Sequence, residues 1–522
     1  MADNPLLRGS QYVEEILKGS DDFLEGIAAI QREDAVRTGC AQPALPMLDL
    51  HGVSRRDVHS SLLQHMQARM LEKLDSLDDK TLSKLLELSF PYIHLEDARN
   101  IVMKLLQRFP IIDEKYLLHL AEHPELYTSC PTAVKRQIWQ INQGFFGEAV
   151  SPLLDKYMAE KESVMFTVYG SDKKATNFFS VSPKTRRQSA VVQELVDMIG
   201  SSLPLYNTLV QFLRTLYLRT HISHYCTLRS EIIMSLHERE SNIRSADPCH
   251  KFAWCLDACV KADHVDSKKA RELYTFLETT PTGEDVLGDI SMLLRDPYAL
   301  NVVCRSIIAC LHDTQKQWKL PRESDELESL LRLLQLGLKA LAILDSKDYT
   351  QDALDVGLVV KFLPELMNPM SLTFPTQGFL TLLASNPQAM HIATSYAVHL
   401  LEKRDLLTLN VLVSAIATAY ANHSEGVELP DAFLHQLVYC SLYPQPIGVT
   451  ELCNIIETFW VPCAPSSEPV LLHCCRLLWA THSQLKADLL EDTLEAIKPG
   501  NQLSTVAHEQ YNTLVAHINH QK

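Results

Sequence analysis

From Asp296 onward the apolar residues Leu300, Val303, Cys304, Ile307, Ile308 and Leu311 recur at steps of three and four, the spacing that lines one face of an α-helix. Asp296 supplies a capping carboxylate, and Pro297 suits the first helical position because its missing N–H has no partner there anyway. The pattern predicts a helix starting at residue 297. The same cap-then-proline punctuation at Ser151-Pro152, Ser182-Pro183 and Asp247-Pro248 predicts three more helix starts. Leu209, Phe212, Leu213, Leu216 and Tyr217 form another stripe, as do Val192, Leu195, Val196 and Ile199, which Gly200 closes where left-handed backbone is wanted. Strand-like alternation with hairpin turns is nearly absent.

With only 17 glycines among 522 residues, the chain reads as many helices joined by short connections. It is longer than one hydrophobic core usually grows. These features together predict an all-α fold, a HEAT-like helical solenoid of stacked antiparallel helix pairs, although no crisp repeat period stands out. Breaks at residues 167–176, 312–328, 364–387 and 461–469 suggest an N-terminal helical region (1–130), a central helical region (131–320) and a C-terminal acidic helical region (321–522). Apolar residues make up 46% and charged residues 21%, with a mean hydropathy of −0.05, which suits a soluble globular protein. The uncharged run at 366–401 is interrupted by Pro369, Pro375 and Pro387, and the run at 406–424 carries Thr408, Asn410 and Ser414. Neither reads as a membrane span; the second predicts a buried core helix. Thirteen cysteines without regular spacing, and no charged-then-apolar N-terminal signal, favour a reducing intracellular compartment.

A net charge of −16 argues against a whole-surface nucleic-acid binder, because phosphate affinity rests on Lys and Arg. Residues 177–260 depart from that balance, with nine Lys/Arg against seven Asp/Glu. Within them, Lys184, Arg186 and Arg187 crowd the helix start expected at Ser182-Pro183, where the helix dipole disfavours each cation by about 0.3–1 kcal/mol. A chain that tolerates this keeps the cations for an anion: a carboxylate on another subunit, an acidic residue of its own, or nucleic-acid phosphate. Phosphorylation of Ser182 would supply an anion locally. Equally, the helix begins at Ser189 and the basic letters form an exposed loop. Arg214 and Arg219 add charge downstream as further candidate contacts for an anionic partner or RNA. Phe212 and Tyr217 fall in a core stripe, so a base-stacking platform is not expected, and any RNA contact would be weak and to the backbone.

Phosphate loops, dinucleotide fingerprints and nucleophile elbows do not occur. His119, Glu122 and His123 form the one enzymatic lead: on a helix, residues i and i+4 share a face, so two imidazoles could hold zinc with Glu122 as base for a bound water. A zinc-dependent hydrolase built on this run needs a third ligand from elsewhere. Pro124 argues that the helix ends at His123, and the plainer reading is a helix end on the surface. Cys249, His250, Cys255 and Cys259 lack the two-residue knuckle spacing of zinc sites, and Phe252, Leu256 and Val260 interleave with them, so they read as core cysteines. No catalytic residue, metal, cofactor or small-molecule substrate is expected.

The strings NFFSVSPKTRRQ (177–188), VQFLRTLYLRT (210–220), HYCTLRSEIIMSLH (224–237) and DPCHKFAWCLDAC (247–259) resemble the negative elongation factor B-subunit family, also called the cofactor of the breast-cancer susceptibility protein family. KRQIWQINQ (135–143), VDSKKARELYTFL (265–277) and VLGDISMLLRDPYALN (286–301) extend the likeness, and LPMLDLHG (45–52) is similar too. The resemblance is strongest over 130–301 and thin after Leu330, and the charged insertion and Pro-rich tail of the family have no counterpart here. It implies an all-helical scaffold subunit that bridges C/D-type and E-type subunits of a nuclear complex. That complex holds RNA polymerase II in promoter-proximal pause and so acts as a repressor of transcription elongation. It implies no catalytic residue.

Overall fold

The computed structural model describes residues 67–74, 76–167, 183–279, 284–316, 319, 321–346, 353–421, 428–442 and 445–521. Among these residues every regular element is helical. The chain divides into two compact units, residues 1–141 and 142–522.

In the first unit α1 (Asp79–Ser89) starts where the Asp78 carboxylate accepts the Thr81 N–H, a side-chain cap of the usual kind. A 3₁₀ turn (Phe90–Tyr92) leads to α2 (Glu96–Arg108), followed by α3 (Glu114–Glu122), α4 (Pro124–Ser129) and α5 (Thr132–Ile141). Leu82, Leu86, Val102, Leu106, Leu120 and Ile138 are buried between them. Gln137 on α5 pins the α2–α3 connection: its Oε1 accepts from Ile112 N at 2.8 Å and its Nε2 donates to Pro110 O at 3.3 Å. The α3 helix ends where the sequence predicts. His123 adopts extended backbone (φ −114°, ψ 102°), the conformation that a following proline imposes.

The second unit opens with α6 (Gln143–Thr167) and continues through α7 (Pro183–Arg187), α8 (Ala190–Ile199), α9 (Leu203–Thr220), α10 (His224–Glu238), α11 (His250–Ala262), α12 (Ser267–Thr279), α13 (Glu284–Leu294), α14 (Pro297–Lys316) and α15 (Asp325–Leu338). After several short helices come α16 (Pro387–Glu402), α17 (Leu406–Ala421), α18 (Asp431–Leu442), α19 (Glu468–Thr481) and α20 (Thr505–Gln521). The long helices pack on one another broadly in chain order, some across shorter helices between them: α8 and α9 on α10, α10 on α11, α12 on α15, α14 on α15 and α16, α16 on α17 and α18, α18 on α19, α19 on α20. Connections of a few residues, such as 403–405 between α16 and α17, turn the chain back on itself. This is the all-α stack that the pattern predicts.

The stripes at 192–199 and 300–311 behave as expected, while in that of 209–217 Leu209, Leu213 and Tyr217 are buried and Phe212 and Leu216 half-buried. Leu300, Val303, Cys304, Ile307, Ile308 and Leu311 are all buried on α14, and the Asp296 carboxylate accepts the Tyr298 N–H at 3.2 Å. Gly200, at φ 57°, ends α8, where a side chain would be strained. Leu409, Leu412, Val413 and Ile416 bury α17 in the core, and no helix of the described residues is long and apolar enough to cross a membrane.

Two expected helix starts are corrected. Pro152 lies inside α6, because Phe146, Val150, Leu154 and Tyr157, all buried, continue one stripe across it; burying that face outweighs the backbone hydrogen bond that the proline removes. Pro248 lies in a turn and α11 starts only at His250. The Asp247 carboxylate accepts the Cys249 N–H at 2.7 Å while also binding Arg229, so it holds a turn instead of a first helical residue. Ser182 lies outside the described residues, and α7 begins just after it.

Candidate functional site

The basic segment forms α7, a single short helix beginning at Pro183, and α8 follows with Ser189 in the N-cap position; the alternative of an exposed basic loop before Ser189 is corrected, because Arg186 and Arg187 are buried. Of its cations only Lys184 is exposed. Arg186 and Arg187 point into the unit. The Arg186 Nε donates to Glu231 Oε1 at 3.0 Å, with both side chains 4% exposed, and its guanidinium lies 3.6 Å from the centre of the Tyr298 ring, a cation–π contact. Glu231 Oε2 accepts from the Tyr157 hydroxyl at 3.2 Å. Arg187 donates to Asp257 at 2.6 Å and lies 3.4 Å from Glu238, and its own carbonyl accepts from Gln193 at 2.7 Å. Asp296 stands nearby, accepting from Thr227 Oγ1 at 2.9 Å.

This knot joins α6, α7, α10, α11 and the start of α14. Its electrostatics are those of burial: desolvation pushes the Asp296 carboxyl up, with Arg186 pulling it back, and raises Asp257 against the pull of Arg187 and Arg186. Burial disfavours the Arg186 cation as well, yet Tyr298, Glu231 and Asp296 more than offset it and hold its proton more firmly. The anion that meets these cations is therefore a set of carboxylates of the same chain. The sequence singled out the cations, missed Glu231 and Asp257, and read Asp296 only as a helix cap; these lie 45 to about 110 residues away along the chain, so no local spacing could bring them to the arginines.

Arg214 is partly buried and donates to Asp289 Oδ1 at 2.7 Å, whereas Arg219, near the end of α9, is exposed. Arg229, fully buried, binds Asp247 at 2.7 Å and the Tyr206 hydroxyl at 2.6 Å, and Tyr206 also donates to Asp247. The cysteines around it are free thiols, Cys249 and Cys259 buried and Cys255 half-buried. Burial raises the Cys249 thiol well above its usual range, so it packs as a small apolar group.

The His119–His123 pair gains an unforeseen neighbour. His94, in the turn before α2, brings its Nε2 to 3.2 Å from that of His119, and nitrogens of His94, His119 and His123 all lie within 4.8 Å of one another. Partial burial, with the neighbouring His123 and His94 rings, lowers the His119 pKa. Glu122 is exposed.

Fold and site define an all-helical protein of stacked helices in which Arg186, Arg187, Arg214 and Arg229 pair with carboxylates of their own chain. Residues 96–381 match the family model described as Cofactor of BRCA1 (COBRA1). Negative elongation factor B of Mus musculus is 37% identical over 535 residues, covering 96% of this chain and 91% of its own. The Homo sapiens protein of that name is 37% identical over 536 residues with the same coverage, and the Drosophila melanogaster protein is 38% identical over 549 residues, covering 98% and 91%. The chain belongs to this negative elongation factor B family. The similarity extends well past Leu330, beyond the strings by which the family is legible to the eye.

Proposed function

We propose that this chain is the B-type scaffold subunit of a negative elongation factor complex. In this reading it bridges C/D-type and E-type subunits in the nucleus and supports promoter-proximal pausing of RNA polymerase II. The observation that carries the proposal is sequence identity of 37–38% sustained along 96–98% of the chain. The mechanism is positioning, without bond-making: stacked helices expose long faces to partners, and the internal ion pairs hold those faces in register. Large apolar side chains stand in solvent on the second unit, among them Met370 at 72% exposure on the short helix Pro369–Thr373 and Phe374 at 77% just past its end. Side chains of this kind favour a surface that a partner covers.

The test is co-expression with C- and E-type subunits, followed by size-exclusion chromatography and crosslinking mass spectrometry. The expected result is one co-migrating assembly with interfaces of about 2,000 Å² or more in total. A chain that stays monodisperse alone and binds neither subunit overturns the proposal.

A further inference from the structure

His94, His119 and His123 come from three different backbone settings: the turn after the 3₁₀ segment, the last turn of α3, and the extended residue between α3 and α4. Their ring centroids form a triangle with sides of 4.5, 4.9 and 5.3 Å. Mutual hydrogen bonding accounts for only one side of it, the 3.2 Å contact between the Nε2 atoms of His94 and His119. The third ring is oriented from behind. His123 Nδ1 lies 2.9 Å from the His119 carbonyl oxygen; a carbonyl only accepts, so Nδ1 carries the proton and the Nε2 lone pair is available. Metal-binding histidines are typically held in this way, through the ring nitrogen that does not bind the ion.

The spacing fits an ion. Zinc–imidazole bonds of about 2.0–2.1 Å in tetrahedral geometry place ligand nitrogens roughly 3.3 Å apart. The His94–His119 pair already has that separation, and the 4.8 Å limit on the set leaves small side-chain rotations to bring in His123. Glu125 Oε1 lies 3.9 Å from His94 Nδ1, on the side of the ring away from the shared nitrogens. Phe90 packs edge-on against His119 with centroids 5.5 Å apart, backing the cluster with an apolar ring.

We propose that His94, His119 and His123 bind a divalent transition-metal ion, zinc being the type that best suits three imidazole nitrogens, through their Nε2 atoms, with water in the fourth position. The ion staples the turn before α2 to the α3–α4 elbow and so stiffens the first unit. Pro124, which stops α3 before His123, is then part of the site: it sets the extended backbone from which His123 turns back toward His119.

The experiment uses the full chain, stripped with a chelator and titrated with Co²⁺ and Zn²⁺, with far-UV circular dichroism confirming that each variant is folded. One equivalent of Co²⁺ should bind and give the intense visible bands of a four-coordinate site, and Zn²⁺ should displace it and raise the Tm. His94→Gln and His123→Gln, at ligands on different elements, should each weaken binding by at least roughly tenfold, the lower end of what loss of supporting groups alone costs, and abolish the Tm rise. His520→Gln, at an exposed histidine outside the site, should leave both unchanged. Binding that survives in both His94→Gln and His123→Gln, or wild-type protein that takes up no metal at tens of micromolar, overturns the proposal.

Discussion

Glu231→Gln is the sharpest probe of the internal ionic knot. The substitution keeps shape and leaves a neutral acceptor for the Arg186 Nε and the Tyr157 hydroxyl, so it removes charge and little else. Arg186 then sits 4% exposed as a cation without its nearest counter-charge. Breaking a buried pair from one side costs about 3–5 kcal/mol. Asp296 tempers this: burial has raised its pKa, and it interacts with Arg186, so loss of Glu231 favours its ionisation and returns part of the lost attraction. The expected cost is therefore near the lower end, about 3 kcal/mol, or roughly a hundredfold in the folding equilibrium of the second unit. Urea unfolding followed by circular dichroism and tryptophan fluorescence reads it. The double variant Arg186→Met with Glu231→Leu should recover most of the loss, since apolar replacements of buried ion pairs are often neutral or stabilising. A single-variant cost under about 1 kcal/mol, or a double variant no better than the single, would refute the claim that these residues act as a buried pair.

Gly337 on α15 approaches the Leu294 backbone so closely that a Cβ would lie 3.0 Å from its carbonyl oxygen; Gly337→Ala should therefore destabilise by about 1–3 kcal/mol despite better helix propensity, and a higher Tm would contradict the contact. Burial, aided by His473, lowers the His435 pKa from its ordinary 6.5 to about 3. Between those values the unfolded chain binds the proton and the native one does not, so this site contributes stability above pH 6.5 that is lost at roughly 1.4 kcal/mol per unit as pH falls toward 3; His435→Gln should flatten that part of a pH–stability curve, and an unchanged slope counts against it. If the complex touches RNA through this chain's exposed cations, Lys184→Ala and Arg219→Ala should each flatten the dependence of log affinity on log salt by about 0.7 for single strands, and an unchanged slope assigns them to protein contacts or to solvent.

Much of the architecture was legible because helix signals are local. A stripe such as Leu300 to Leu311 and a cap such as Asp296 lie within four turns of each other, and both behave in the fold as they read in the sequence. The failures share a cause. Ser151-Pro152 and Asp247-Pro248 carry the letters of a helix start, but tertiary partners decide the outcome: a continuing buried stripe in the first, and Arg229 in the second. The site was legible only by half for the same reason. Lys184, Arg186 and Arg187 stood out by their charge, and an acidic residue of the same chain was one of the partners weighed, but Glu231 and Asp257 are ordinary helix letters until the fold brings them across. Likewise His119 and His123 form a visible pair, while His94 is 25 residues away in a turn with no signature of its own.

Because most long helices of the second unit lean on others not far along the chain, with α12 on α15 and α14 on α16 reaching across the helices between them, little has to wait for the far end of the sequence to arrive. Such a stack can be laid down progressively as the polypeptide leaves the ribosome, each pair covering the last. Its cohesion is correspondingly local. Hydrogen exchange should proceed from the α19–α20 end, where fewer neighbours remain, toward the α10–α11 interior, in steps and not in a single event. The arginines of α7 interrupt that gradient. They tie α6, α10, α11 and α14 at one point, and so make the centre of the stack the last part to come undone.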